Sequence, residues 1–390
     1  MTSTKPSTAI AGVIALFSYN GLVIGVWAAS IPSLQTRFGL AAWQLSVLFV
    51  VMGLAAIASM QICGRVVDRH GARRIALAMI PVLCFGIVVA GTSAGLVALY
   101  AGAIALGIGN GGIDVAMNAI GVQVERKRVK PIMSFFHGTW SIGNMAGALL
   151  LVLVAPAFAH RADPTVATVA VVVAVAGLAV FAAGFAIVPE TDPVGHTDEA
   201  GEKVPIPRAA YLLGLMAIAF GLGEGTANDW SGLHAASVAD VEPTTAALTV
   251  TFFAAFMVVI RLLGDFLVVR FGRRAVTMFG GACSAVGYLI VAIFTPLPVL
   301  LVGWSLVGLG IGMIAPQVYA VAGHTAGGRG LAVVVTFGYA TFLISPAVIG
   351  FLIGQVGIQH TMFVPAVLLL GLLFIARVMP AKDQPSAVLS

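Results

Sequence analysis

Asp114 and Asn118 stand four residues apart in an otherwise apolar stretch, so on a helix they share one face. A second cluster, Glu224, Asn228, Asp229 and Trp230, interrupts another apolar stretch, and Arg261 lies near the end of a third. Asn20, then His137, Trp140 and Asn144, then Gln317 and Tyr319 complete the set of polar groups in segments that lack other charge. Amides and carboxylates in such places hydrogen-bond a polar solute, and a carboxyl group drawn out of water can also hold a proton. Glu224 falls about 22 Å into its segment, at roughly 1.5 Å per helical residue, so it is the first choice for a coupling or solute-binding carboxylate. Trp140 and Trp230 are expected to line a cavity, where an indole N–H needs a partner.

Enzyme chemistry is poorly served by the same residues. Ser134 and His137 are three apart, but no acid or oxyanion donor accompanies them. Gly91-Thr-Ser-Ala-Gly95 has the spacing of a serine nucleophile elbow without the strand that such a turn needs. Gly107-Ile-Gly109-Asn110-Gly111-Gly112 has dinucleotide-fingerprint spacing inside an apolar run, where close helix packing is the better account. No GxxxxGK[ST] phosphate loop occurs. Cys63, Cys84 and Cys283 have neither metal-site nor disulfide spacing, so no cofactor and no metal is expected.

The elements that must carry these groups are membrane helices. Of the 390 residues, 60% are hydrophobic and 9% charged, against about 25% charged in a soluble domain. Mean hydropathy is +1.06. The basic balance, net charge +5, is therefore assigned to loops at a membrane surface and not to nucleic acid. A span needs roughly twenty apolar residues. Twelve such runs are expected, at 9–31, 43–64, 75–93, 96–123, 134–156, 165–188, 209–232, 244–264, 275–295, 298–321, 332–354 and 360–379. Residues 189–208, acidic and proline-bearing, would form a water-exposed linker between bundles at 1–188 and 209–390.

With both termini cytoplasmic, Arg65, Arg69, Arg73, Arg74, Arg126, Lys127, Arg128, Lys130, Arg270, Arg273, Arg274 and Arg329 fall inside, and Arg37 and Arg161 outside. That bias fixes the expected orientation. The loop Gly64-Arg-Val-Val-Asp68-Arg69-His-Gly71-Ala-Arg73-Arg74 recurs in weaker form as Gly264-Asp265 and Arg270-Phe-Gly-Arg273-Arg274. Gly107-x-Gly109-x-Gly111 likewise recurs as Gly308-x-Gly310-x-Gly312, at an offset of 201. Duplicated six-helix units place a solute site between halves near mid-membrane. Gly64, Asp68, Arg69, Gly71, Arg73, Glu125, Arg261, Asp265 and Arg270 are the gating candidates, with Glu125 as partner for Arg69 or Arg73. Arg261 could also snorkel, or pair with Asp265 at i+4.

The signature loop resembles that of the major facilitator superfamily, over essentially the whole chain. Ser134-Phe-Phe-His137-Gly138-Thr-Trp140-Ser141, Gly223-Glu224-Gly225, Asp229-Trp230-Ser231 and Arg261-Leu-Leu-Gly264-Asp265 resemble its YbjJ/MosC-like branch. The resemblance implies an all-α, twelve-helix carrier of a small sugar- or polyol-like solute, proton-coupled, monomeric and set in a bacterial inner membrane. A proton-driven exporter of amphipathic compounds is the alternative. Two departures count against it: Ala103 where such exporters carry an arginine, and Gly143-Asn144-Met-Ala-Gly147 in place of their Gly-Pro motif.

Overall fold

The computed structural model describes residues 6–128, 132–190 and 207–380, leaving aside the side chains of 134, 265 and 323–332. The described residues are helical apart from short turns, as spans must be where hydrocarbon offers the backbone no hydrogen-bond partner. The helices are α1 (Pro6–Phe38), α2 (Ala42–His70), α3 (Ala72–Gly91), α4 (Leu96–Arg126), α5 (Met133–Val154) and α6 (Ala162–Ile187). A second series follows, α7 (Arg208–Val238), α8 (Pro243–Phe271), α9 (Arg273–Ile293), α10 (Leu297–Val356), α11 (Ile358–Thr361) and α12 (Phe363–Ile375). Twelve segments among the described residues are long and apolar enough to cross a membrane. The expected linker core, 191–206, lies outside the described residues.

The spans expected at 298–321 and 332–354 are both present, joined by helical backbone into one element of 60 residues, α10. Its two apolar arms are Leu297–Ala322 and Val333–Val356. They run side by side, because a Cβ at Gly338 would lie 2.8 Å from the hydroxyl of Tyr319. Nineteen residues of straight helix would separate these positions by about 28 Å. The chain therefore reverses between the arms while keeping helical backbone.

The duplication seen in the glycines is also a duplication of contacts. A Cβ at Gly107 would strike the Met52 carbonyl, and one at Gly308 the Phe253 carbonyl. Gly111 abuts Ala56 and Gly312 abuts Met257; Gly109 abuts Leu83 and Gly310 abuts Ser284. Each pair of partners keeps the same offset of 201. So α4 sits backbone-close between α2 and α3, and the first arm of α10 sits the same way between α8 and α9. The turns repeat as well. Gly71 (φ +82°, ψ 156°) donates to Val67 O, and Gly272 (φ +81°, ψ 157°) donates to Val268 O. Positive φ here favours glycine.

Two arginines of the basic loops each tie together helices of their own half. Arg73 pairs with Glu190 and donates to the Phe185 carbonyl at the end of α6. Arg274, its counterpart, donates to the Arg377 carbonyl just beyond α12. Glu125 is not the partner of Arg73. Its carboxylate accepts the backbone N–H of Ile132 (2.6 Å) and of Met133 (2.8 Å), and so caps the start of α5. A helix start carries unpaired N–H groups and a positive dipole end, which is why an acid is held there.

Two stability outcomes follow. Gly111→Val should lower the midpoint of thermal unfolding in detergent, by an overpacking cost of about 1–3 kcal/mol. Gly354→Ala, where an added Cβ meets nothing within 4 Å, should leave it unchanged or slightly raised. Equal midpoints for the two variants would contradict the wedge. Glu125→Ala should cost about 0.5–2 kcal/mol by the same measurement, and an unchanged midpoint would contradict the cap.

Candidate functional site

The glycines of α4 determine what its third face presents. With Gly107 and Gly111 against α2 and Gly109 and Gly112 against α3, the face carrying Asn110, Asp114 and Asn118 is left for the midline. There it forms the wall of a cavity between the two series of helices. The cavity has an upper chamber of about 360 Å³ and a lower one of about 760 Å³. Met60, Asp114, Trp140, Glu224, Tyr339 and Phe342 border both. Sizes in this range suit small solutes.

The upper chamber is lined by amides and carboxylates set among apolar surfaces. Asn20, Asn110, Asp114, Asn228 and Asp229 line it, with Trp27, Phe49, Trp140 and Phe342 as apolar surfaces. Trp140 Nε1 donates to Asn20 Oδ1 at 2.6 Å, and Asn20 Nδ2 donates to Asn110 Oδ1 at 2.9 Å. Asn118 Nδ2 donates to the Asp114 carbonyl (2.8 Å) and carboxylate (3.2 Å) one turn back. Asn228 Nδ2 donates to the Glu224 carbonyl at 3.0 Å.

The lower chamber belongs to the halves of the helices nearer the basic loops. Met133 and His137 near the start of α5, Phe220 of α7, Gly264 of α8, and Gln317 and Tyr319 of α10 line it. Gln317 accepts from Arg273 at 2.7 Å, which ties the start of α9 to this wall. Tyr319 packs edge-on against Phe220, with centroids 5.8 Å apart.

Arg261 lies in this cavity rather than at the loop. Its guanidinium is 3.7 Å from the Glu224 carboxylate on α7, and it donates to Ser141 Oγ on α5 at 2.6 Å. The two charged side chains are 14% and 13% exposed. One cation thus holds a carboxylate of its own half and a hydroxyl of the other. Ser141 in turn donates to the His137 carbonyl at 3.2 Å, so α5 presents His137 and Ser141 on the face turned to α8.

Opposite the basic loops the halves close. Leu222, Trp230, Leu233, Ala247, Val250 and Ile349 of the second series join the apolar core of the first. A Cβ at Gly232 would come within 3.0 Å of the Pro32 ring, and one at Gly350 within 2.9 Å of Ser46 Cβ. Trp230, expected to line the cavity, belongs to this seam. It is 0% exposed and stands edge-on to Phe49, centroids 5.5 Å apart. Its position on α7 turns it away from the face of Glu224 and Asn228. Asn144 is also withdrawn, 2% exposed beside Gly21 and Gly25 at the α1–α5 contact.

Of the remaining gating candidates, Gly64, Asp68, Arg69, Gly71 and Arg270 lie at the ends of α2 and α8 on the basic face, and the side chain of Asp265 lies outside the described residues. Asn110, Ser141, Tyr339 and Trp27 were missed from the sequence. Asn110 was hidden inside a glycine motif, though its i−4 relation to Asp114 carried the signal.

The Major Facilitator Superfamily profile matches residues 8–225 and 209–389. The uncharacterised transporter y4wD of Sinorhizobium fredii is 31% identical over 350 residues, covering 87% of this chain and 90% of that protein. An uncharacterised MFS-type transporter of Yersinia pestis is 31% identical over 362 residues, covering 90% and 89%. The membrane protein MosC of Rhizobium meliloti is 26% identical over 369 residues, covering 93% and 88%. The nucleoside transporter NupG shares the fold with a TM-score of 0.75 at 11% identity, over 94% of this chain and 98% of that one. The transporter FucP in its outward conformation does so at 0.63 and 15%, over 94% and 97%. The chain belongs to the major facilitator superfamily of membrane transporters.

Proposed function

We propose that this protein is a secondary carrier of a small polar, sugar- or polyol-like solute, driven by protons and working by alternating access. The observation that carries the reading is the cavity between the halves, with Glu224 at the junction of its chambers and Arg261 beside it in the lower one. The units that rock are 1–188 and 209–390, joined by the linker 189–208. The arginine-rich loops face the cytoplasm, by the positive-inside bias, so the state described is closed to the outside and open inward. The setting is a bacterial inner membrane and the working unit a monomer.

Coupling rests on the Arg261 pair. A proton on Glu224 cancels its charge and leaves Arg261 held by Ser141 of the other half. Loss of that proton restores the attraction within the second half. Proton and solute must favour different orientations for this to drive transport, since a ligand shifts an equilibrium only by its differential affinity. His137, Asn228, Asp229, Gln317 and Tyr319 line the solute path. Gly64, Asp68, Arg69, Gly71, Arg73 and Arg270 keep the inner ends of the helices in register, and Arg73 and Arg274 do so within their own halves.

The exporter alternative calls for a cavity lined mainly by Phe and Met with one acid. Five methionines and three phenylalanines do line the two chambers, but three acids and five amides stand among them where the exporter reading calls for one acid. That composition favours a hydroxylated solute.

In proteoliposomes, one pH unit across the membrane should support about tenfold accumulation of solute for each proton coupled. Glu224→Gln should equilibrate the solute without accumulating it, while exchange between two loaded sides continues. Accumulation by that variant at the wild-type ratio would remove Glu224 from the coupling role.

A further inference from the structure

The indole N–H of Trp140 can only donate, so the Asn20 atom it meets at 2.6 Å is the amide oxygen. Asn20 therefore turns its NH2 group toward Asn110, 2.9 Å away, and the atom met there must be an oxygen. The polarity of this chain is set at its tryptophan end and passes through both amides without choice. Asn110 is left with its own NH2 group pointing away from Asn20. Among the described residues no protein group accepts from it. Asn110 is half-buried and forms part of the upper chamber wall.

One turn along the same face stands Asp114, steadied by Asn118 one turn further. Side chains four apart on a helix have Cβ atoms about 5–6 Å from each other. A fixed donor and an acceptor at that spacing match two neighbouring hydroxyls, one accepting from Asn110 and the other donating to Asp114.

We propose that Trp140 and Asn20 act as positioning residues that lock Asn110 as a hydrogen-bond donor, and that Asn110 with Asp114 forms the subsite that reads an adjacent pair of solute hydroxyls. This rests on the reading of the protein as a carrier of hydroxylated solutes. It adds which residues choose among them, and how their polarity is set.

The test uses the purified full-length carrier and four probes, D-glucose, D-galactose, D-mannitol and D-xylose, with the monodeoxy analogues of the two hexoses. Binding is read by thermal shift and by titration calorimetry. At least one hexose should bind the wild type, and removal of one hydroxyl of an adjacent pair should weaken it about tenfold or more, because a buried partner is then left unpaired. Asn110→Asp, which keeps the shape and reverses the polarity, should lose that hexose by a similar factor. Trp140→Phe frees both amides to rotate, so the ratio between hexose and deoxy analogue should fall below about threefold. A merely structural role for Trp140 would weaken all probes alike and keep the ratio.

Failure of every hexose to bind the wild type would overturn the subsite, as would an unchanged ratio in Trp140→Phe or wild-type affinity in Asn110→Asp. Proton-driven uptake of any probe by vesicles separates the two readings. Uptake without these selectivity changes sinks the relay and leaves the carrier. No uptake of any probe sinks the polyol-carrier reading itself.

Discussion

Close approach of helix backbones is the constraint on which the rest of this structure depends. Inside hydrocarbon there is no hydrophobic drive between helices, so association rests on packing and on the few polar contacts available. Glycine supplies the packing. Gly107, Gly109, Gly111 and Gly112 bring α4 against α2 and α3 at once, and Gly21, Gly25, Gly143 and Gly147 do the same between α1 and α5. Once these faces are filled by backbone, a helix has one direction left for a large polar side chain. On α4 that direction holds Asn110, Asp114 and Asn118, and it points to the midline. The cavity is thus a consequence of how tightly each half packs.

What occupies the midline is unbalanced in charge. Asp114, Glu224 and Asp229 line the cavity, and Arg261 is the arginine set among them. A buried ion pair gains little over apolar packing, yet removing one partner is costly because the other is left uncompensated. That asymmetry makes the Arg261–Glu224 pair a sensitive element. It persists while both charges do, and it is altered by a single proton. Because Arg261 also holds Ser141 on the opposite half, a change of charge on α7 is felt at α5.

Much of this was legible in the residues, for a physical reason. Span length and the offset of 201 are one-dimensional properties, and they transferred to the fold with little change. Glu224 and Asp114 stood out because an acid in hydrocarbon is costly, and both border the cavity. Arg261 was harder. In a span read as ending at 264 it stands one turn from the end, within reach of the surface, the next acid on its own helix, or a neighbour. In the fold α8 runs on to Phe271, and packing decides for Glu224 and Ser141. Trp230 failed for a related reason: one helical step separates a cavity face from a seam. Glu125 and Arg73 are adjacent in function by their loops, yet each is taken by a helix end of its own half. Asn110 was concealed by the glycines that position it.

The central claim is that the seam opposite the basic loops opens in every transport cycle. Ser46 on α2 and Gly350 on the second arm of α10 face each other across that seam, with Cβ positions 2.9 Å apart. A carrier with Cys63, Cys84 and Cys283 replaced by serine, and with Ser46→Cys and Gly350→Cys, can be crosslinked by mild oxidation and assayed for proton-driven uptake in vesicles. The account predicts that oxidation forms the disulfide and stops uptake, and that reduction restores it. Uptake at the full rate with the disulfide intact would contradict it.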